Sequence, residues 1–76
     1  VGGSGKTPIT IALANYIYKN NLRKNITVIL RGYGRKSQGL YIVSKKGKIL
    51  EDVNIAGDEA LLLANSLKFA TVIVSE

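Results

Sequence analysis

The chain has 76 residues, 46% of them hydrophobic, and carries 11 Lys and Arg against 5 Asp and Glu for a net charge of +6. A chain of this length buries little core, and without cysteine it cannot build a disulfide framework or a thiolate zinc site. No apolar run approaches the roughly 20 residues needed to cross a bilayer, and the excess of cations favours anionic partners.

The first segment reads Val1-Gly2-Gly3-Ser4-Gly5-Lys6-Thr7-Pro8. Glycines in this order let several backbone N–H groups converge on a polyphosphate with no Cβ in the way, and the helix that follows points its positive end at the anion. Lys6 has the length to reach the β- and γ-phosphates, and the Thr7 hydroxyl suits the coordination shell of Mg²⁺. Pro8 fits the first helical turn, where its missing N–H is not needed. The segment is the end of a nucleotide-binding P-loop, and the first glycine of the pattern G-x-x-x-x-G-K-[ST] would fall immediately before Val1.

From Pro8 to about Asn20 the residues Ile9, Leu13, Tyr16 and Ile17, with Ala12 between them, recur at helical spacing and predict an amphipathic helix that Asn20-Asn21 breaks. Ile26 to Leu30 is a short β-branched run of the kind buried in a parallel sheet, so with the strand expected before the first glycine loop, the helix and this second strand read as a right-handed βαβ unit. Leu40 to Val43 and Lys48 to Leu50 are weaker strands around Lys45-Lys46-Gly47, expected as a hairpin beside the main sheet. Glu59 to Leu67 returns to helix with Ala60, Leu63, Ala64 and Leu67 on one face, broadened by Leu61 and Leu62. Thr71 to Val74 reads as a strand. The expected fold is α/β, a P-loop NTPase-like parallel sheet flanked by helices with a small hairpin insertion. Residues 1–76 would form the N-terminal part of one incomplete domain, since the chain starts inside a motif that should follow a strand.

Two further loops carry chemistry. Arg31-Gly32-Tyr33-Gly34-Arg35-Lys36 follows the first strand, at the carboxyl edge where open parallel sheets bind ligands. Its two arginines could converge on a phosphate, and Tyr33 offers an aromatic face and a hydroxyl to a sugar or acyl amide. Ala56-Gly57-Asp58-Glu59 opens the second long helix. Asp58 there serves equally as an N-cap or as an acid that takes a proton from an attacking hydroxyl, with Glu59 positioning that group or the metal. The residues alone leave both roles open.

In order, G-G-S-G-K-T-P, R-G-Y-G-R and G-D-E-A-L-L-L-A resemble the tetraacyldisaccharide 4′-kinase family of lipid A biosynthesis, over nearly all 76 residues. The resemblance implies an ATP- and Mg²⁺-dependent kinase that phosphorylates the 4′-hydroxyl of a tetraacyldisaccharide 1-phosphate at the cytoplasmic face of the bacterial inner membrane. It implies that Gly2, Gly3, Ser4, Gly5, Lys6 and Thr7 bind ATP, with Lys6 also catalytic and Thr7 on the metal. Arg31, Tyr33 and Arg35, with Glu59, would meet the acceptor, and Asp58 would be the catalytic base. It also implies a membrane anchor before Val1 and a histidine partner with further metal-binding acids after Glu76, so the fragment alone should not turn over. The implied partners are an anionic glycolipid and, for the parent protein, an acidic membrane surface. A regulatory P-loop NTPase hydrolysing ATP or GTP is the alternative. Nucleic acid is not an expected partner, because the tyrosines do not interleave with the basic clusters as a stacking platform would.

Overall fold

The computed structural model describes residues 6–22 and 25–75, with the Lys6 side chain outside the description. The elements in chain order are α1 (Lys6–Lys19), β1 (Ile26–Leu30), β2 (Tyr41–Lys45), β3 (Lys48–Ile49), α2 (Val53–Ala56), α3 (Asp58–Ser66) and β4 (Ala70–Val74). They form a four-stranded sheet of order β1-β4-β2-β3 with helices packed on it. The α/β class expected from the sequence is the class observed.

The sheet is mixed. β1 and β4 run parallel, Ile26 opposite Ala70 and Leu30 opposite Val74. β2 pairs antiparallel with the other edge of β4, Tyr41 opposite Val74 and Lys45 opposite Thr71, and β3 continues antiparallel from β2 across the Lys46-Gly47 turn. The hairpin therefore extends the main sheet and does not lie beside it. The register between β2 and β4 shifts between Ile42 and Ser44, and the irregularity turns consecutive residues Val43 and Ser44 both into the interior. Strict alternation would have exposed one of them.

β4 is central, with Ala70, Val72 and Val74 buried on one face. Ala60, Leu63, Ala64 and Leu67 of α3 and its C-terminal cap cover that face, which is the helical stripe expected from their spacing. Alanines at 56, 60, 64 and 70, all fully buried, let the helices approach the strands closely.

For α1 the period is as expected but the phase differs. Ala14 is buried and Ile11 packs on the core, whereas Ile9, Leu13 and Tyr16 are 57–68% exposed. Ala14 and Ile11 face inward where α1 lies against α3, and Ile9, Leu13 and Tyr16 lie on the side of α1 that the rest of this chain does not cover. At its C-terminal end Asn21 takes φ 56°, the Leu22 N–H bonds the Ile17 carbonyl at 3.0 Å and the Asn21 N–H bonds Tyr18 at 3.2 Å. This Schellman arrangement is how the asparagine pair stops the helix. The Tyr18 ring then stacks on Phe69, centroids 4.1 Å apart, tying the end of α1 to the approach to β4.

The buried stripe of α3 gives a direct test in the full-length protein. Leu67→Ala removes the largest fully buried side chain and should lower unfolding stability by about 2–5 kcal/mol. Leu62→Ala, at a position 54% exposed in this chain, should cost less than Leu67→Ala. Denaturant midpoints of the two variants check the difference, and equal losses would contradict the assignment of faces.

Candidate active site

The chemistry-bearing loops meet at the carboxyl edge of the parallel pair. β1 ends at Leu30 and β4 at Val74, in register, and the Ser75 N–H bonds the Leu30 carbonyl at 2.9 Å just beyond them. Against this edge stand the start of α1, the loop after β1 and the start of α3. Between them lies a cleft of about 570 Å³. It is lined by Thr7 and Thr10 of α1, Glu59 and Leu63 of α3, Val28, Ile29 and Leu30 of β1, and Arg31, Gly32 and Tyr33 of the loop after β1, the last three being its Arg31–Tyr33 wall.

One contact joins two of the motifs. The Thr7 hydroxyl donates a hydrogen bond to Glu59 Oε2, across 52 residues of sequence. The hydroxyl of the G-K-T run and the second acid of G-D-E thus occupy one spot in the cleft. Gly2, Gly3, Ser4, Gly5 and the side chain of Lys6 lie outside the described residues. Among the described residues no group of three or more His, Cys, Asp or Glu side chains is gathered for a metal. A hydroxyl and one carboxylate are nonetheless hard oxygen donors of the kind Mg²⁺ uses when substrate phosphates and water complete its shell.

The loop after β1 is folded by its glycines onto α2. Gly32 has φ +71°, and a Cβ there would come within 2.8 Å of Arg35 Cδ and 3.1 Å of the Ala56 carbonyl oxygen. The Arg35 N–H closes a turn back to the Gly32 carbonyl at 3.1 Å. Beyond the turn the Lys36 N–H bonds the Asn54 carbonyl at 2.7 Å, and the Ser37 hydroxyl donates to the Ile55 carbonyl at 2.6 Å. α2 is itself set by Asp52, whose side chain accepts from the N–H groups of Asn54 and Ile55 at 3.0 and 3.2 Å.

Gly57 joins α2 to α3 at φ 88° and ψ 159°, a conformation essentially confined to glycine. A Cβ at Gly57 would lie 3.3 Å from the Tyr33 carbonyl oxygen, so the two loops are in direct backbone contact. Gly57 occupies the N-cap position of α3 and Asp58 is the first helical residue. The capping role open to Asp58 in the sequence is therefore not the one it has. Its carboxylate is exposed at the positive end of α3, with Glu59 half-buried beside it.

The cleft brings together Thr7, Glu59, Arg31 and Tyr33, the last 78% exposed. It does not include Arg35. The converging arginine pair expected from R-G-Y-G-R is absent here, because Arg35 turns onto its own loop: Nη2 donates to the Gly39 carbonyl at 2.7 Å and Nη1 to the Ser37 hydroxyl at 3.2 Å. Asp58 stands at the head of α3 next to Glu59, outside the cleft lining. The sequence reading missed Ser37, Asp52 and the short helix α2. The run Glu51-Asp52-Val53-Asn54 holds an N-cap signal for that helix.

The family described as Tetraacyldisaccharide-1-P 4′-kinase (LpxK) matches residues 1–76. The chain is 63% identical over 76 residues to the tetraacyldisaccharide 4′-kinase of Aliarcobacter butzleri and 53% identical over 75 residues to that of Helicobacter acinonychis, covering 22% of the length of each. Its fold superposes on the crystal structure of LpxK from Aquifex aeolicus in complex with ATP with a TM-score of 0.86 at 41% identity, covering all of this chain and 23% of that one. The chain thus spans about a fifth of the length of the relatives it matches. The chain belongs to the tetraacyldisaccharide-1-P 4′-kinase family.

Proposed function

We propose that the protein containing this chain transfers the γ-phosphoryl group of ATP to the 4′-hydroxyl of a tetraacyldisaccharide 1-phosphate. The observation that carries the reading is the hydrogen bond from Thr7 to Glu59, which unites the G-K-T and G-D-E motifs in a cleft also lined by Arg31 and Tyr33.

Each residue then has a chemical task. Gly2 to Gly5 offer backbone N–H groups to the triphosphate and Lys6 neutralises charge on its β- and γ-phosphates. Thr7 and Glu59 would hold Mg²⁺, which when bound offsets the charge of the phosphate oxygens. Asp58, freed from capping by Gly57, accepts the proton of the 4′-hydroxyl. The hydroxyl oxygen forms its bond to the γ-phosphorus as the bond to the ADP oxygen breaks, and the proton leaves Asp58 for solvent after transfer. Arg31 supplies a bidentate donor for the anionic acceptor and Tyr33 a face for its sugar or amide. Arg31 and Lys36, both exposed, make a basic rim suited to the acidic cytoplasmic leaflet of an inner membrane, where the acceptor would be found. No helix among the described residues is long and apolar enough to cross a membrane.

Two substitutions in the full-length enzyme test these tasks. Asp58→Asn should leave the melting temperature unchanged and lower kcat by about 10²-fold to 10⁴-fold, the usual contribution of a general base. An unchanged kcat would leave Asp58 with no role beyond the helix dipole. Glu59→Gln keeps an oxygen that accepts from Thr7 but removes the charge, and should raise the Mg²⁺ concentration for half-maximal activity by roughly 10-fold to 100-fold. A magnesium titration indistinguishable from wild type would move Glu59 away from the metal.

A further inference from the structure

α2 has only four residues, so its last carbonyl groups find no partner within the helix. The loop after β1 supplies partners for two of them: the Lys36 N–H for Asn54 and the Ser37 hydroxyl for Ile55. Ser37 is part-buried and uses its hydroxyl in both senses, donating to Ile55 while accepting from Arg35 Nη1. Arg35 in turn reaches Gly39, so one guanidinium spans the loop from its turn to its far end. Three residues after Asn54 comes Gly57, in contact with the Tyr33 backbone, and then Asp58. The clamp therefore adjoins both the Arg31–Tyr33 wall, through the Arg35 N–H bond to Gly32, and the acid, while Arg35 and Ser37 themselves do not line the cleft.

We infer that Arg35 and Ser37 are positioning residues for phosphoryl transfer: through the Ile55 carbonyl they hold the Arg31–Tyr33 wall in register with the head of α3. Arg35 acts through Ser37 and the loop, and is not a ligand of the acceptor phosphate. The inference rests on the acceptor reading of Arg31 and Tyr33 given above.

In the full-length enzyme, Ser37→Ala should lower kcat/KM for the disaccharide acceptor about 10-fold, the scale of one lost directed hydrogen bond, while KM for ATP stays at its wild-type value. Ser37→Thr, which keeps the hydroxyl, should restore it. Arg35→Ala should give a comparable loss, and the double variant should be no worse than Arg35→Ala alone, because both changes break the same chain of bonds. An acceptor lacking the 1-phosphate separates positioning from direct binding: Arg35→Ala should handicap both acceptors by the same factor. Additive losses, a loss confined to the phosphorylated acceptor, or wild-type acceptor kinetics in Ser37→Ala would each overturn the inference. Amide hydrogen exchange of residues 31–39 in the substrate-free enzyme reads the clamp without any turnover. It should quicken in Ser37→Ala and return in Ser37→Thr, and unchanged exchange would also overturn the clamp. Quickened exchange in an enzyme whose wild type phosphorylates no disaccharide would instead count against the reaction proposed above, with the clamp retained.

Discussion

The site depends on the backbone contact at Gly57. At φ 88° and ψ 159° this residue turns α2 directly into α3 with no intervening loop, and its bare Cα allows the Tyr33 carbonyl to approach. Any side chain would strain the junction and push the loop after β1 away from the head of α3. Two consequences follow from the same position. Gly57 takes the N-cap place, which leaves the Asp58 carboxylate unoccupied by capping, and α3 then presents Glu59 to Thr7 at the start of α1. A single backbone conformation thus gathers the acids, the hydroxyl and the aromatic loop on one edge of the sheet.

Much of this was legible in the sequence where one residue type has one physical use. The β-branched run at Ile26–Leu30 and the run at Thr71–Val74 were both read as strands, and the structure pairs them in parallel. The α3 stripe of Ala60, Leu63, Ala64 and Leu67 was read correctly because its period and its burial agree. Phase was harder than period in α1, where Ile9, Leu13 and Tyr16 carry the stronger pattern while Ile11 and Ala14 pack on the core of this chain.

The loops show a similar division. Thr7, Arg31, Tyr33 and Glu59 were recognisable from their chemistry, and they line one cleft. Arg35 has the same chemistry as Arg31 but is drawn back by the acceptors of Ser37 and Gly39, a choice between partners that spacing does not encode. Whether Asp58 caps its helix depended on the φ of the glycine before it, again a backbone property that side-chain chemistry does not reveal. The mixed sheet arose likewise, since a weak hairpin pattern says that two strands pair with each other and is silent about a third.

The central claim is that the P-loop, the loop after β1 and the head of α3 belong to one phosphoryl-transfer site. Its most direct measurement follows label from the γ-phosphate of ATP into tetraacyldisaccharide 1-phosphate, with the full-length enzyme and its Lys6→Ala variant side by side. The account predicts label at the 4′ position in the wild type and a loss of the order of 10²-fold or more in the variant, the size expected when a preorganised charge on the phosphates is removed. Labelled product formed by Lys6→Ala within a few-fold of wild type, or ATP hydrolysis by the wild type with no label in the disaccharide, would contradict it.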